Sequence, residues 1–145
     1  MDTAIDLTQA RLSREEGDKT YPYDDATGLR VRAPKGHISW GKGFDLEECG
    51  SDGLFDVMER CLLQQEERPL LALDWYAKLD PVRQSVCLDI AYNDGVHGLL
   101  GFPHMIAALD KGDWATAAAE CKVSNPELAS RYAVLAQLLL TGGVR

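Results

Sequence analysis

The sequence predicts an α+β fold in which a small antiparallel sheet lobe precedes a larger helical lobe. Residues 17–53 hold more than half of the 13 glycines and include the alternating segments LRVRA and GHISWG. Period-two alternation broken by glycines is typical of short antiparallel strands. After Gly53, apolar residues recur at three- and four-residue spacing, as on the buried face of a helix. We expect one 145-residue domain, with a sheet lobe over about 17–53 and a helical lobe over about 54–145 plus an N-terminal helix.

Prolines and glycines divide the helical part into segments. The first segment should bury an apolar face made of Leu54, Met58, Cys61 and Leu62. Pro69 is expected to start or kink the next helix. A core helix is predicted from about Pro81 to Asn93, and Gly95 is placed to end it.

Three shorter helices are predicted to follow. Pro103 fits the first turn of one that Gly112 closes, and Asp113 can cap the next, WATAAAEC. An Asn-Pro step at 125–126 is predicted to open the last helix, which Gly142 ends.

Composition narrows the possible partners and location. The net charge of -8 weighs against nucleic acid, because phosphate binding needs an excess of Lys and Arg. No apolar run approaches the roughly 20 residues that span a bilayer, so we expect no stable membrane insertion. The first residues lack a signal-peptide pattern, which predicts that the chain starts in a cytoplasm. Four cysteines without close pairing, Cys49, Cys61, Cys87 and Cys121, predict buried reduced thiols, and we expect neither a metal nor a cofactor.

Acidic residues cluster in REEGDKTYPYDDATG, residues 14–28. One interpretation is a solvated loop; the other is a pair of catalytic carboxylates, one protonated and one ionised, as glycoside hydrolysis requires. Glu16 would end a packed helix, where partial burial raises a carboxyl pKa, while Asp25 would stay charged in a turn. The two environments would divide the roles.

The order and spacing of these motifs resemble the phage-type lysozymes, the endolysins of glycoside hydrolase family 24, over nearly the whole chain. Glu16-Gly17, Asp25 and the later GHISWG fit that pattern, as do VRQSVCLDIAYNDG and the closing RYAVLAQLLLTGG. The resemblance implies a lysozyme-like fold with an active-site cleft between its lobes. It also implies hydrolysis of the β-1,4 link between N-acetylmuramic acid and N-acetylglucosamine in peptidoglycan, with Glu16 as general acid and Asp25 holding the attacking water.

Other site residues follow from the resemblance or depart from it. The family threonine that shares the water is missing, and His37 stands nearby, so we expect His37 to face the cleft; a solvated strand histidine is the alternative. Ser39, the only hydroxyl close by, and Tyr92 and Asn93 are expected to contact substrate. For Tyr92 simple packing, and for Asn93 a helix cap, remain alternatives.

The implied biology is lysis of a bacterial host. The enzyme would be a monomer that waits in the host cytoplasm until a holin-type pore releases it to the periplasm and the glycan strands of the wall. Two alternatives stay open. One is a secreted antibacterial muramidase effector paired with an immunity protein, and the other is a lysozyme fold that binds glycan without cutting it.

Overall fold

Helices make up most of the described part of the chain. The structure, a computed structural model, describes residues 2–16, 39–40, 44–45 and 52–142, with side chains at 2–14 and 57–142. The helices in these ranges are α1 (Ala4–Glu16), α2 (Asp52–Leu70), α3 (Asp74–Ala77), α4 (Pro81–Leu100), α5 (Pro103–Lys111), α6 (Trp114–Glu120) and α7 (Ala129–Thr141).

The predicted α+β fold with a sheet lobe over 17–53 is wrong. Within that range the described strands are β1 (Ser39–Trp40) and β2 (Phe44–Asp45), an antiparallel pair with Ser39 opposite Asp45, and residues 52 and 53 already belong to α2. Two residues a side form too few ladder bonds to make a lobe. Alternation with glycines also occurs outside sheets, so the pattern alone does not establish a sheet lobe. The LRVRA segment lies outside the described residues, and the described part is largely helical.

A reciprocal cap starts α1. The Thr3 Oγ1 accepts a hydrogen bond from the Asp6 backbone N–H at 3.2 Å, and Asp6 Oδ2 accepts from the Thr3 backbone N–H at 2.9 Å. This is the capping-box arrangement, here with Asp in the acidic position. The hydrogen bond from Thr3, and then the one from the Arg60 guanidinium, hold the pKa of Asp6 far below its usual value.

The buried face of α2 differs from the predicted one. Leu63 and Leu70, two turns apart, are fully buried, whereas Cys61 is exposed and Leu62 is 49% exposed. The buried face of α2 is therefore rotated by one residue from the predicted face. The packing of the neighbouring helices decides which of the two faces is buried, and the sequence of α2 alone does not show it. Pro69 does not start a helix, because it lies in the last turn of α2.

The core helix α4 begins and breaks where the sequence predicts. The Asp80 carboxylate accepts from the backbone N–H groups of Val82 and Arg83, at 3.0 and 3.1 Å. Val86 and Ile90 are buried, and Gly95 interrupts the helix with φ 71° and ψ 165°. The chain then continues helical to Leu100, so Gly95 is a break within α4 rather than its end.

The last helices begin and end where the sequence predicts, except that α7 begins later. Gly112 closes α5 in the left-handed region, and Asp113 caps α6 by accepting from the Thr116 N–H at 3.1 Å. However, α7 begins at Ala129 and not at the Asn-Pro step, because Asn125 Oδ1 accepts from the Glu127 N–H and forms a separate turn first.

The helices pack around α4. It contacts α1, α2 and α7, while α5 packs on α6 and α6 on α7. Arg83 of α4 is buried, donates to the Leu139 carbonyl at 2.8 Å and lies 3.9 Å from the ring centre of Trp114. A Cβ at Gly142 would come within 2.6 Å of the same guanidinium. Among the described helices none has the length and apolar character needed to cross a membrane.

Two glycines with positive φ should respond differently to substitution. Gly95 lies in a region that only glycine occupies readily, so we expect Gly95→Ala to lower the free energy of unfolding by about 3 kcal/mol. Gly112, at φ 73° and ψ 19°, lies near the left-handed helical region, where alanine costs about 1 kcal/mol. Urea unfolding of both variants measures the difference. Equal losses would contradict the break at Gly95.

Candidate functional site

A buried carboxylate joins three helices. Asp89 of α4 has no solvent exposure, and its two oxygens face different arginines. Arg11 of α1 donates from Nε to Asp89 Oδ2 at 2.6 Å. Arg131 of α7 donates to Asp89 Oδ1 from Nη2 at 2.8 Å and from Nε at 3.2 Å. We call Arg11, Asp89 and Arg131 the arginine–aspartate triad. With two guanidinium groups and one carboxylate it carries a formal charge of +1.

The Ser85 carbonyl provides a second attachment for α1. It accepts from Arg11 Nη2 at 2.7 Å and from Thr8 Oγ1 at 3.1 Å. Thr8, Arg11 and Ser85 are all buried. Positions 8 and 11 of α1 therefore meet positions 85 and 89 of α4. These contacts fix the rotation and the axial position of α1.

Next to the triad lies a small cavity of about 30 Å³, whose lining includes Asp89, Asn93, Asp94, Arg131 and Tyr132. Such a volume holds a water molecule or two and not a sugar ring. The Tyr132 hydroxyl donates to Asp94 Oδ2 at 3.2 Å, and its ring stacks on that of Phe102 at 6.0 Å between centroids. Burial, and then the Asp94 carboxylate, raise the pKa of Tyr132 well above its usual value, so it stays a neutral donor.

The structure places only part of the predicted catalytic set. Glu16 is the last residue of α1, as expected for a carboxylate at the end of a packed helix. Asp25 and His37 lie outside the described residues. Ser39 belongs to β1, where its backbone pairs with Asp45. The distance between the two proposed catalytic carboxyl groups therefore stays a prediction.

Tyr92 and Asn93 lie on α4 immediately before its break. Tyr92 is half-buried and packs against the core. Asn93 is exposed, and its Nδ2 donates to the Asp89 carbonyl at 2.7 Å, so part of its amide is already used within the helix. Contact of either residue with substrate stays a prediction.

Sequence reasoning missed the triad, although a signal was present. Asp89 is the lone charge in the apolar run VCLDIAY, and Arg11 shares a helical stripe with Ala4 and Thr8. Charged residues on apolar faces are almost never fully buried unless they are paired. A charged residue on a face that must be buried therefore needs an ion-pair partner. The sequence shows this need for Asp89 and Arg11, but it does not show which residue is the partner.

The cysteines divide into two environments. Cys87 and Cys121 are buried, as predicted, and Cys61 is exposed, contrary to prediction; Cys49 lies outside the described residues. Burial, and then the Asp89 charge, raise the pKa of Cys121 to about 12. Burial also raises the pKa of Cys87. Both therefore remain thiols at neutral pH.

A second, more open depression lies between α5 and α6. The depression has a volume of about 270 Å³. Its lining includes His104, Lys111, Asp113, Thr116 and Glu120. Both Asp113 oxygens are engaged by Thr116, whose hydroxyl donates at 2.7 Å. Over residues 2–16 and 52–142 and the two short strands, no group of three or more His, Cys, Asp or Glu side chains is placed to hold a metal ion.

Comparisons with protein-family profiles, with curated proteins and with solved structures give no match to this chain.

The triad predicts a sharp difference between buried and exposed carboxylates. Asp89→Asn removes the counter-charge of the buried Arg11 guanidinium, so we expect it to lower the free energy of unfolding by about 3–5 kcal/mol. The matched control is Asp110→Asn, which removes an exposed ion pair with Lys78 at 3.5 Å and should cost no more than about 1 kcal/mol. Urea unfolding followed by circular dichroism measures both. A loss below 1 kcal/mol for Asp89→Asn would contradict the triad.

Proposed function

We propose that the protein is a muramidase that hydrolyses the β-1,4 link between N-acetylmuramic acid and N-acetylglucosamine in peptidoglycan. The sequence resemblance to phage-type lysozymes motivates the proposal. The observation that supports it best is the place of Glu16, the last residue of a helix held to α4 by buried hydrogen bonds. A general acid needs such a fixed support, because proton donation to the leaving oxygen depends on its position.

In the proposed reaction Glu16 protonates the glycosidic oxygen while Asp25 orients the water that attacks the anomeric carbon. An inverting reaction needs about 6.5–9.5 Å between the two carboxyl groups, to leave room for that water. His37 is proposed to assist the same water in place of the family threonine. The proposed setting is release through a holin-type pore to the wall of the host, where the enzyme acts as a monomer.

Replacement of the proposed general acid provides the first test. Glu16→Gln keeps the size of the side chain but removes its proton, so we expect the rate to fall by about 10²–10⁴-fold. The measurement is the release of new reducing ends from purified peptidoglycan. Glu15→Gln, one position earlier, is the matched control and should retain the wild-type rate.

The same samples distinguish the alternatives. If wild type and Glu16→Gln release equally few reducing ends yet both sediment with insoluble peptidoglycan, the protein binds glycan without cutting it. If neither cuts nor binds, the resemblance does not extend to function. An active enzyme whose gene neighbour abolishes activity when co-purified would instead indicate an effector with its immunity protein.

The role of His37 has its own test. A neutral imidazole accepts a proton from water, so we expect His37→Ala to lower kcat about 10²-fold and to flatten the acid limb of the pH–rate profile. Its melting temperature should match that of wild type. His104→Ala, an exposed histidine of α5, is the control and should leave kcat and the profile unchanged. Wild-type rates from His37→Ala would rule out the role.

A further inference from the structure

Among the described side chains, two ion pairs attach α1 to its neighbours, and they differ in both position and burial. Asp6, near the start of α1, pairs with Arg60 of α2 at 2.6 Å, with side chains 38% and 42% exposed. Arg11 pairs with Asp89 at 2.6 Å, with side chains 6% and 0% exposed. From the 1.5 Å rise per residue, Arg11 lies about 7.5 Å and Asp6 about 15 Å from Glu16 along the helix axis.

The buried pair between Arg11 and Asp89 restrains the position of the C-terminal part of α1 more than the exposed pair does. The Arg11 guanidinium bonds at once to the Asp89 carboxylate, to the Ser85 carbonyl at 2.7 Å and to the Ser85 hydroxyl at 3.3 Å. Three acceptors around one planar group fix its orientation, since its donors have a rigid geometry. Exposed pairs such as Asp6–Arg60 hold long side chains only loosely.

The second arginine of the triad limits the loss of stability when Arg11 is replaced. Asp89 keeps its pair with Arg131 when Arg11 is replaced, and the formal charge of the triad falls from +1 to zero. Removing one partner of a buried ion pair is strongly destabilising when the other charge is left unpaired; here Asp89 stays paired, so the expected loss is the smaller one of buried acceptors without a donor. Helix α1, with 13 residues, can then stay packed while the hydrogen bonds of its last turn open more often.

We propose that Arg11 is a positioning residue, which sets the rotation and axial position of the last turn of α1 and hence the place of Glu16. This assignment rests on the proposed muramidase function for its catalytic consequence. Arg11 touches neither substrate nor the reacting atoms, and it acts through the backbone of α1. A displaced general acid lowers the chemical step more than substrate binding, so the effect falls on kcat and not on KM.

The test compares Arg11→Met with the matched control Arg60→Met. For Arg11→Met we expect kcat on peptidoglycan to fall about tenfold or more, with KM within about twofold of wild type and the melting temperature lowered by only a few degrees. Backbone amides of residues 12–16 should exchange hydrogen at least about tenfold faster, while those of α4 keep their protection. Arg60→Met should change neither kcat nor the exchange of residues 12–16.

Arg11→Lys separates charge from geometry. A lysine keeps the charge beside Asp89 but cannot reach three acceptors with one planar group, so we expect kcat and exchange between those of wild type and Arg11→Met. Unchanged kcat and unchanged exchange at residues 12–16 in Arg11→Met would overturn the proposal. A parallel loss of protection throughout α4 would overturn it too, since it would indicate general destabilisation.

Hydrogen exchange keeps this test independent of the proposed function. If wild type proves as inert as Glu16→Gln, the muramidase proposal fails. The positional role of Arg11 is then decided by exchange at residues 12–16 alone. If wild type is active and exchange is unchanged in Arg11→Met, the positioning proposal fails and the muramidase proposal stands.

Discussion

A carboxylate removed from water must be compensated where it lies, and at Asp89 this requirement organises the helical part of the molecule. Neither arginine partner is close in sequence, since Arg11 precedes Asp89 by 78 residues and Arg131 follows it by 42. Leaving Asp89 without any charged donor would cost several kcal/mol, and its two arginine partners hold α1 and α7 against the middle of α4. Apolar side chains along α4 pack against the same helices, whose relative positions the ion pairs help to define.

The same helix also determines the direction of α7. Arg131, near the start of α7, meets Asp89, whereas the Leu139 carbonyl near its end meets Arg83. Moving forward along α7 thus means moving backward along α4, and the two are antiparallel. Arg83 in addition faces the ring of Trp114, which connects α6 to this arrangement. Two arginines and an aspartate therefore specify an orientation that apolar contacts alone leave less defined.

Local features were predictable from the sequence because their causes are local. Asp113, Gly112 and Gly142 cap or end helices through bonds to residues at most a few positions away. The buried face of α2 was not predictable, since Leu62 and Leu63 are chemically alike and only the neighbouring helices select between them. The sheet lobe failed for a related reason: an alternating pattern states which side chains differ, not whether a partner strand exists.

In the candidate site, too, the feature set by local sequence was predictable and the contact between distant residues was not. The order of motifs leads to Glu16 as a candidate, and the structure ends α1 at that residue. The support behind it, Arg11 on Ser85 and Asp89, was not predicted, because a lone charge in an apolar segment does not show which distant residue pairs with it. The separation between Arg11 and Asp89 has a further consequence for a ribosome-bound chain. At about 5–20 residues per second, α1 emerges on the order of ten seconds before its carboxylate partner is made. During synthesis α1 thus precedes by several seconds the carboxylate that holds Arg11.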